Sequence, residues 1–486
     1  MHPFETPQSD CRFGIAGCDI TPPIGIYHRM WGAATHDCST GVHRPLTATA
    51  MAIAPATASG EADRDRAPLV IIAFDHCLLW EREMYALRSA TSQATGVPRE
   101  RLLFCFSHTH AAGLMGLERA ELPGGELIAP YLATLAEHCT AIVRTACDGM
   151  QRATIVYGIG RCSLAAHRDL WDEASGQFVC GFNPAGPTDD TLLVARVTAD
   201  DERVLATIVN YACHPTSLAW ENTLINPDYP GAMREVIEAA TGAPCMFLQG
   251  ASGDLGPRDG YVGDLAVADR NGRQLGYAAL SALESLPKAG TSLVYSGSIV
   301  SGATLGTWRH VSPTPEQQTA ARRWVYHHWK ASLPLRADLP TCAAAQSQFE
   351  DWRQREIAAH AAGNDLEARD CHAQAERLTR LLVNLDGLSA DGRMELPVTL
   401  CRLGGAVWLF VEGEYYHVFQ TTLRARHPQF PLVVATLANG WRPAYLPPAD
   451  LYGRGIYQEQ VALLAPGCLE QMIDLVGQQI DRCLDA

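Results

Sequence analysis

The feature that most limits what this chain can fold into is a series of short apolar runs, each stopping on a residue type that binds metals or protons. LVIIAF at 69–74 runs into Asp75 and His76, and LLFCF at 102–106 into Ser107, His108, Thr109 and His110. VLATIV at 204–209 leads through Asn210 and Tyr211 to Cys213 and His214, and CMFL at 245–248 ends in the loop QGASGDLGP at 249–257. AVWLFV at 406–411 ends in Glu412, Gly413 and Glu414, and LVVATL at 432–437 in Ala438, Asn439 and Gly440. Runs of this length, rich in valine, leucine and phenylalanine, predict strands covered on both faces. Helical spacing lies between and after them. Leu132, Leu135, Ile142, Val143 and Ala146 share one face of 130–150, and Leu469, Met472, Ile473, Val476 and Ile480 share one of 468–484. The stretch 306–392 is rich in Ala, Gln, Glu and Arg, and its Thr314 and Gln317 have capping-box spacing, which predicts a helical insertion. No repeat, low-complexity tract or linker divides the chain. The expected fold is α/β, a mixed β-sheet core with flanking helices, as one domain over 1–486 with the helical insertion at 306–392.

Charge narrows the partners. The 486 residues carry a net charge of −15, which repels phosphate backbones and anionic lipid and argues against nucleic acid. No apolar run reaches the ~18 residues of a membrane span. Residues 1–16 include Glu5, Asp10 and Arg12 and lack the apolar core of a signal peptide, so a cytoplasmic location is expected. The 16 cysteines form no CxxC pair and read as free thiols of a reducing compartment, not a zinc ribbon or disulfide scaffold.

Chemistry concentrates at the run ends, where sheet enzymes bind ligands because loops there vary without disturbing the core. If the strand at 102–106 continues, His108 and His110 face the same way with Cα atoms ~7 Å apart. Both then ligate a metal, or one ligates while the other meets substrate, or both are surface histidines. His214, held by Pro215, reads as a ligand or a structural histidine. Glu414 reads as a ligand or a helix cap, and Asp254 as a turn residue or a site residue. Two histidines and a carboxylate from separate strand ends are what a catalytic divalent-metal site requires, but spacing alone does not bring them together.

The ordered series GIAGCDITP at 14–22, GVH at 41–43, SHTHAAG, NYACHPTSL, QGASGDLGP, EGE and NGWRPAYLPP resembles the catalytic domain of the neutral/alkaline (non-lysosomal) ceramidase family. The resemblance spans most of the chain outside the insertion. It implies a mixed α/β structure around one zinc ion, and hydrolysis of an N-acyl amide by metal-activated water. By this resemblance His108, His214, Glu414 and Tyr445 hold Zn2+, with Tyr445 displaced by one residue from the family spacing. His110 then shuttles the proton, Tyr457 steadies the developing oxyanion, Arg168 lies near the substrate, and Asp254 orients His110 or its own loop. Gly256 stands where the family has a serine, so a mechanism needing that hydroxyl is excluded. The family's immunoglobulin-like domain is also missing from this sequence. A small polar linear amide or lactam is therefore a better expected substrate than a sphingolipid. Trp324, Trp329 and Trp352 of the insertion either cover the site or pack the insertion down. Two other readings stand beside this one: a dinuclear hydrolase whose second metal uses His110, Asp19, Asp75 or Asp254, and a small-molecule binding protein that has lost catalysis. A cysteine nucleophile at Cys213 is disfavoured, because adjacent residues of an extended strand point opposite ways. A homo-oligomer is left open.

Overall fold

A computed structural model describes residues 6–56 and 67–485. Eight strands form the main sheet, in the order Cys245–Gln249, Val204–Tyr211, Thr191–Ala199, Gln151–Arg161, Gln8–Asp19, Thr47–Pro55, Leu69–Phe74 and Leu102–Phe106. The pairs at its two edges are parallel and the middle is antiparallel. A second sheet of four strands is ordered Trp324–Pro334, Arg393–Leu403, Ala406–Val411 and Leu432–Ala435. The fold is thus α/β with a mixed sheet core, as the apolar runs predict.

The runs are apolar without alternation because both of their faces are covered. Along Leu69–Phe74, Val70, Ile72 and Phe74 pack under the helices Glu81–Thr95 and Ile128–Asp148, while Leu69 and Ile71 face the other sheet. Along Ala406–Val411, Trp408 and Phe410 face the large sheet, and Val407, Leu409 and Val411 face the helices Val418–Arg426 and Cys468–Asp485. Period-two geometry applied to two buried faces produces a continuous apolar run. The layers are helices, large sheet, small sheet, helices. Trp408, fully buried at the sheet–sheet seam, is a side chain whose truncation costs ~3–5 kcal/mol.

The seam also joins the two sheets at their ends. Asn439 Oδ1 accepts from Phe104 N at 2.8 Å, and Cys105 bridges to Ala438. The end of Leu102–Phe106 is thereby tied to the segment that leads to Tyr445.

The insertion expected over 306–392 is only partly helical. Pro315–Ala321, Cys342–Ala361 and Asp365–Leu385 are helices, and the capping box of Thr314 and Gln317 is formed. Residues 306–311, however, belong to the strand Ala303–Val311 of a hairpin, and Trp324–Pro334 is a strand of the small sheet. The Ala/Gln/Arg-rich helices on either side hid a strand, WVYHHWKASLP, whose pairing partner, Arg393–Leu403, lies some sixty residues on. Trp324 and Trp329 consequently pack against the sheet cores, and Trp352 lies on the helix Cys342–Ala361. The helix Asp365–Leu385 docks on the main body through Glu376, which pairs with Arg119 at 2.6 Å, and through Arg380, which donates to the Met30 carbonyl at 2.6 Å.

Candidate metal centre

His108 follows the edge strand Leu102–Phe106 and His214 follows Val204–Tyr211, second from the opposite edge, but neither sits on the strand itself. Leu102–Phe106 stops at Phe106, and His108 adopts a left-handed φ of 67°. The extended continuation expected through His110 is therefore not formed. The turn instead aims both rings at one point, with centroids 4.9 Å apart. His214 follows Val204–Tyr211, and its ring centroid lies 4.9 Å from that of His108.

Glu414 comes from the small sheet. It is not a helix cap: His417 occupies that position for Val418–Arg426. Glu414 and Tyr415 form a two-residue strand that pairs in parallel with Tyr445 and Leu446, placing Glu414 directly beside Tyr445. Gly413 is required for this approach. Its φ is +86°, and a Cβ there would lie 2.6 Å from Pro443 Cδ.

These residues converge, although they are about a hundred and two hundred positions apart. His214 Nε2 lies 2.7 Å and His108 Nε2 3.3 Å from the same atom, Glu414 Oε2, and all three side chains are buried. Each imidazole is oriented from behind. His108 Nδ1 donates to the Cys77 carbonyl and His214 Nδ1 to the Ser252 carbonyl, both at 2.7 Å. A carbonyl has no proton to give, so the Nδ1 atoms carry the protons and each neutral ring turns an Nε2 lone pair toward a carboxylate oxygen. His214 Nε2 and Glu414 Oε2 are buried without a hydrogen-bond partner. Lone pairs facing a carboxylate at this distance repel unless positive charge lies among them. The 3.3 Å separation is also close to the edge of a tetrahedron with metal–ligand bonds of ~2.0–2.1 Å. The donor set therefore fits a divalent cation, with Trp441 Nε1 fixing the carboxylate through a 2.5 Å bond to Oε1.

The electrostatics show the same demand for positive charge beside Glu414: among the protein groups alone it is the protonated form of His108 that meets it, in the place a cation would otherwise take. Burial by itself would raise the Glu414 carboxyl, but His108 and His214 outweigh it and hold it well below the usual range. Burial disfavours charge on His108, yet Cys77 and Glu414 reverse the balance and lift its pKa well above an ordinary imidazole. Burial, then Arg168, takes His214 down to about 4, which keeps it a neutral donor. Burial, then Glu414, raises Tyr445 well above a free phenol despite the Arg168 guanidinium beside it, so a phenolate there would need a metal ion bound to its oxygen.

The remaining predicted residues fall in two groups. His110, Arg168, Tyr445 and Tyr457 surround the cluster. His110 Nε2 is 3.5 Å from His108 Nε2, and the Tyr445 ring stacks 6.4 Å from His214. Tyr457 stands 5.7 Å from Tyr445 on its solvent side, and Arg168 lies 5.4 Å over the Tyr445 ring. Burial, reinforced by His108 and His214, pushes the His110 pKa well below that of a free imidazole. Asp254 does not orient His110. It accepts from His417 N at 2.8 Å and from His417 Nδ1 at 2.5 Å, and its own carbonyl accepts from Arg168 N. Its second expected role, holding its loop, is the one the hydrogen bonds describe. The carboxylates considered for a second metal are engaged elsewhere: Asp75 by Arg234 and Thr47, and Asp19 by the backbone of Thr21. A second trio within 4.8 Å, Cys77, His108 and His110, shares His108 with the first, and the Nδ1 of that ring is already bonded to Cys77 O.

Sequence reasoning did not single out Trp441, although it sits inside the quoted NGWRPAYLPP motif. The carbonyls of Cys77 and Ser252 leave no side-chain signal at all. Trp31, 5.1 Å from His110 and edge-on to Trp220 and Tyr261, was likewise not flagged, because nothing local marks it.

No protein-family model matches the chain, and no curated protein matches it in sequence. Its fold is shared with neutral ceramidase from Pseudomonas aeruginosa, at a TM-score of 0.62 and 15% identity, over 97% of this chain and 74% of that one. A ceramidase complexed with C2 matches over the same shares, at a TM-score of 0.62 and 14% identity. Among the described residues no helix is long and apolar enough to cross a membrane.

Proposed function

We propose that this chain is a metal-dependent amide hydrolase acting on a small N-acyl compound or lactam, with zinc as the metal. The observation that carries the reading is the convergence of His108 Nε2, His214 Nε2 and a Glu414 carboxylate oxygen, buried together, with each imidazole held at Nδ1 by a main-chain carbonyl. The ceramidase fold supports amide hydrolysis as the reaction class.

His108, His214 and Glu414 would hold the ion, with Tyr445 as the fourth donor, a mixed N/O set suited to zinc. When bound, the ion supplies Lewis acidity, polarising the amide carbonyl and lowering the pKa of water toward ~7. The protein's own groups do the rest. His110, kept neutral by its low proton affinity, is free to take a proton from the attacking water and, once charged, gives it up readily to the departing amine nitrogen. Tyr457, whose ring is partly exposed at the mouth, donates its hydroxyl to the carbonyl oxygen as charge develops there. Trp441 and the carbonyls of Cys77 and Ser252 keep the donors aimed without rearrangement during turnover. Asp254 acts at one remove, by holding the 249–257 loop on which the Ser252 carbonyl sits. We place the protein in the cytoplasm.

Elemental analysis paired with hydrolysis of N-acyl amides tests this. Wild-type protein should hold about one equivalent of a transition metal, and His108→Ala and Glu414→Ala should hold almost none and lose turnover. About two equivalents would point to the dinuclear reading instead. Amide hydrolysis that persists in both variants, from a protein without stoichiometric metal, would overturn it.

A further inference from the structure

We propose that Arg168 and Thr216 form a carboxylate-binding subsite beside the metal cluster, so that the amide hydrolysed here is an acid. This rests on the amide-hydrolase reading and names the substrate class for that same site.

The starting point is a buried charge without a counter-charge. Arg168 is 3% exposed. Its Nη2 donates to the Gly253 carbonyl at 2.6 Å, while Nε is buried with no hydrogen-bond partner. Among the described residues no carboxylate oxygen forms an ion pair with it. Other buried arginines are treated differently. Arg119 pairs with Glu376 and Arg234 with Asp75, and Arg402 donates to the last carbonyls of the helix Cys468–Asp485. Neighbouring carboxylates are already engaged. Asp169 accepts from Tyr416 and Gln458, Asp254 from His417, and Glu414 faces the imidazoles. A guanidinium removed from water and given one carbonyl has donors left over, and its fork geometry matches a carboxylate.

Polar groups that would meet one converge at Gly256. Gly256 lies against Arg168, and a Cβ built on it would stand 3.6 Å from Thr216 Oγ1, 3.9 Å from Tyr261 Oη and 4.0 Å from Arg168 Cδ. Two hydroxyls and the arginine thus border the open face of Gly256. Thr216 Oγ1 is buried and without a hydrogen-bond partner, so it has a proton to offer a carboxylate oxygen. An aromatic face adjoins it through Tyr261: Trp31 packs edge-on against Trp220 and Tyr261 beside His110, and Trp220 reaches solvent. An amide with a carboxylate near the scissile bond on one side and an apolar group on the other satisfies both faces.

The test compares acids with hydroxyl counterparts of nearly the same shape. N-octanoylglycine is set against N-octanoylethanolamine, with the acid on the amine side. N-octylsuccinamic acid is set against N-octyl-4-hydroxybutanamide, with the acid on the acyl side. In metal-replete wild-type enzyme, kcat/KM for at least one acid should exceed that for its counterpart by about 100-fold, the discrimination expected when a buried charged site loses its partner. That ratio should fall to near one in Arg168→Gln, recover in part in Arg168→Lys, and drop about tenfold in Thr216→Val. A merely structural Arg168 would lower both members of a pair alike and leave the ratio where it was. Calorimetric binding of the same compounds reads the preference independently of turnover. Hydroxyl compounds cleaved as well as both acids would overturn the subsite while leaving the amide-hydrolase reading intact. Acid binding that depends on Arg168, in a protein that cleaves neither pair, would preserve the subsite and refute the reaction. Absence of any acid preference in both turnover and binding would end the proposal.

Discussion

Glu414 with His108 and His214, and Asp254 with His417 and His167, are two buried carboxylate–imidazole clusters of nearly the same composition. They are also neighbours, since Gly253 N donates to Tyr415 O at 2.8 Å. What separates them is where the imidazole protons point. In the second cluster His417 turns its Nδ1 directly at Asp254 Oδ2, 2.5 Å away, and its backbone N–H serves Oδ1. The carboxylate is satisfied by protein alone. In the first cluster two main-chain carbonyls take the Nδ1 protons, so bare Nε2 atoms meet Glu414 Oε2. Residue types therefore do not distinguish a metal centre from a structural brace. The tautomer, set by a carbonyl behind the ring, does.

That contrast can be broken most sharply at Glu414. Glu414→Gln should cut metal content to near zero and kcat/KM for an N-acyl amide by about 10³-fold or more, several kcal/mol of transition-state stabilisation. Elemental analysis and steady-state kinetics check it. The matching change, Asp254→Asn, should keep the metal. It should instead destabilise the fold by ~3–5 kcal/mol, the cost of stranding one member of a buried pair, measured by denaturant unfolding.

The pH dependence of that cost sharpens the comparison. Burial opposes charge on both Asp254 and His417, but each partner outweighs it, holding the carboxyl down and the imidazole up. The lowered carboxyl contributes stability above its unfolded value of about 3.9 and loses it as pH falls through the folded value. The raised imidazole contributes below its unfolded value of about 6.5 and loses it as pH rises through the folded value. The stability difference between wild type and Asp254→Asn should thus be largest between about pH 4 and 6.5, and shrink on either side. A difference that does not change with pH would show the pair is not ionised.

Within the metal cluster, His110→Gln should leave metal content intact and lower kcat by about 10²-fold or more, as loss of a proton carrier does. The smallest effect is expected at Trp441→Phe, which removes one N–H from Glu414 Oε1 and should weaken metal affinity by about 10- to 100-fold, read by chelator competition.

Much of the fold was legible because the informative signals are local. The runs at 69–74, 102–106 and 406–411 coincide with strands, and the amphipathic spacing at 468–484 with a helix. Trp324–Pro334, whose own residues are rich in aromatics, escaped because it lies between Ala/Gln/Arg-rich helices and its pairing partner, Arg393–Leu403, is far along the chain. At the site, His108, His214 and Glu414 could be named from their places after apolar runs. The left-handed turn at His108 and the partner of Asp254 could not, since both depend on contacts made far along the chain.

By itself the sequence determined the element types, the two-sided burial of the strands and the chemical kinds of group at their ends, because a period of two or 3.6 is a property of neighbouring residues. Only the tertiary structure decided that His108, His214 and Glu414 share one point, that their bare nitrogens face the carboxylate, and that Arg168 is buried without an anion. Those facts come from packing one sheet on another and from main-chain carbonyls of distant loops, and neither leaves a trace in local periodicity.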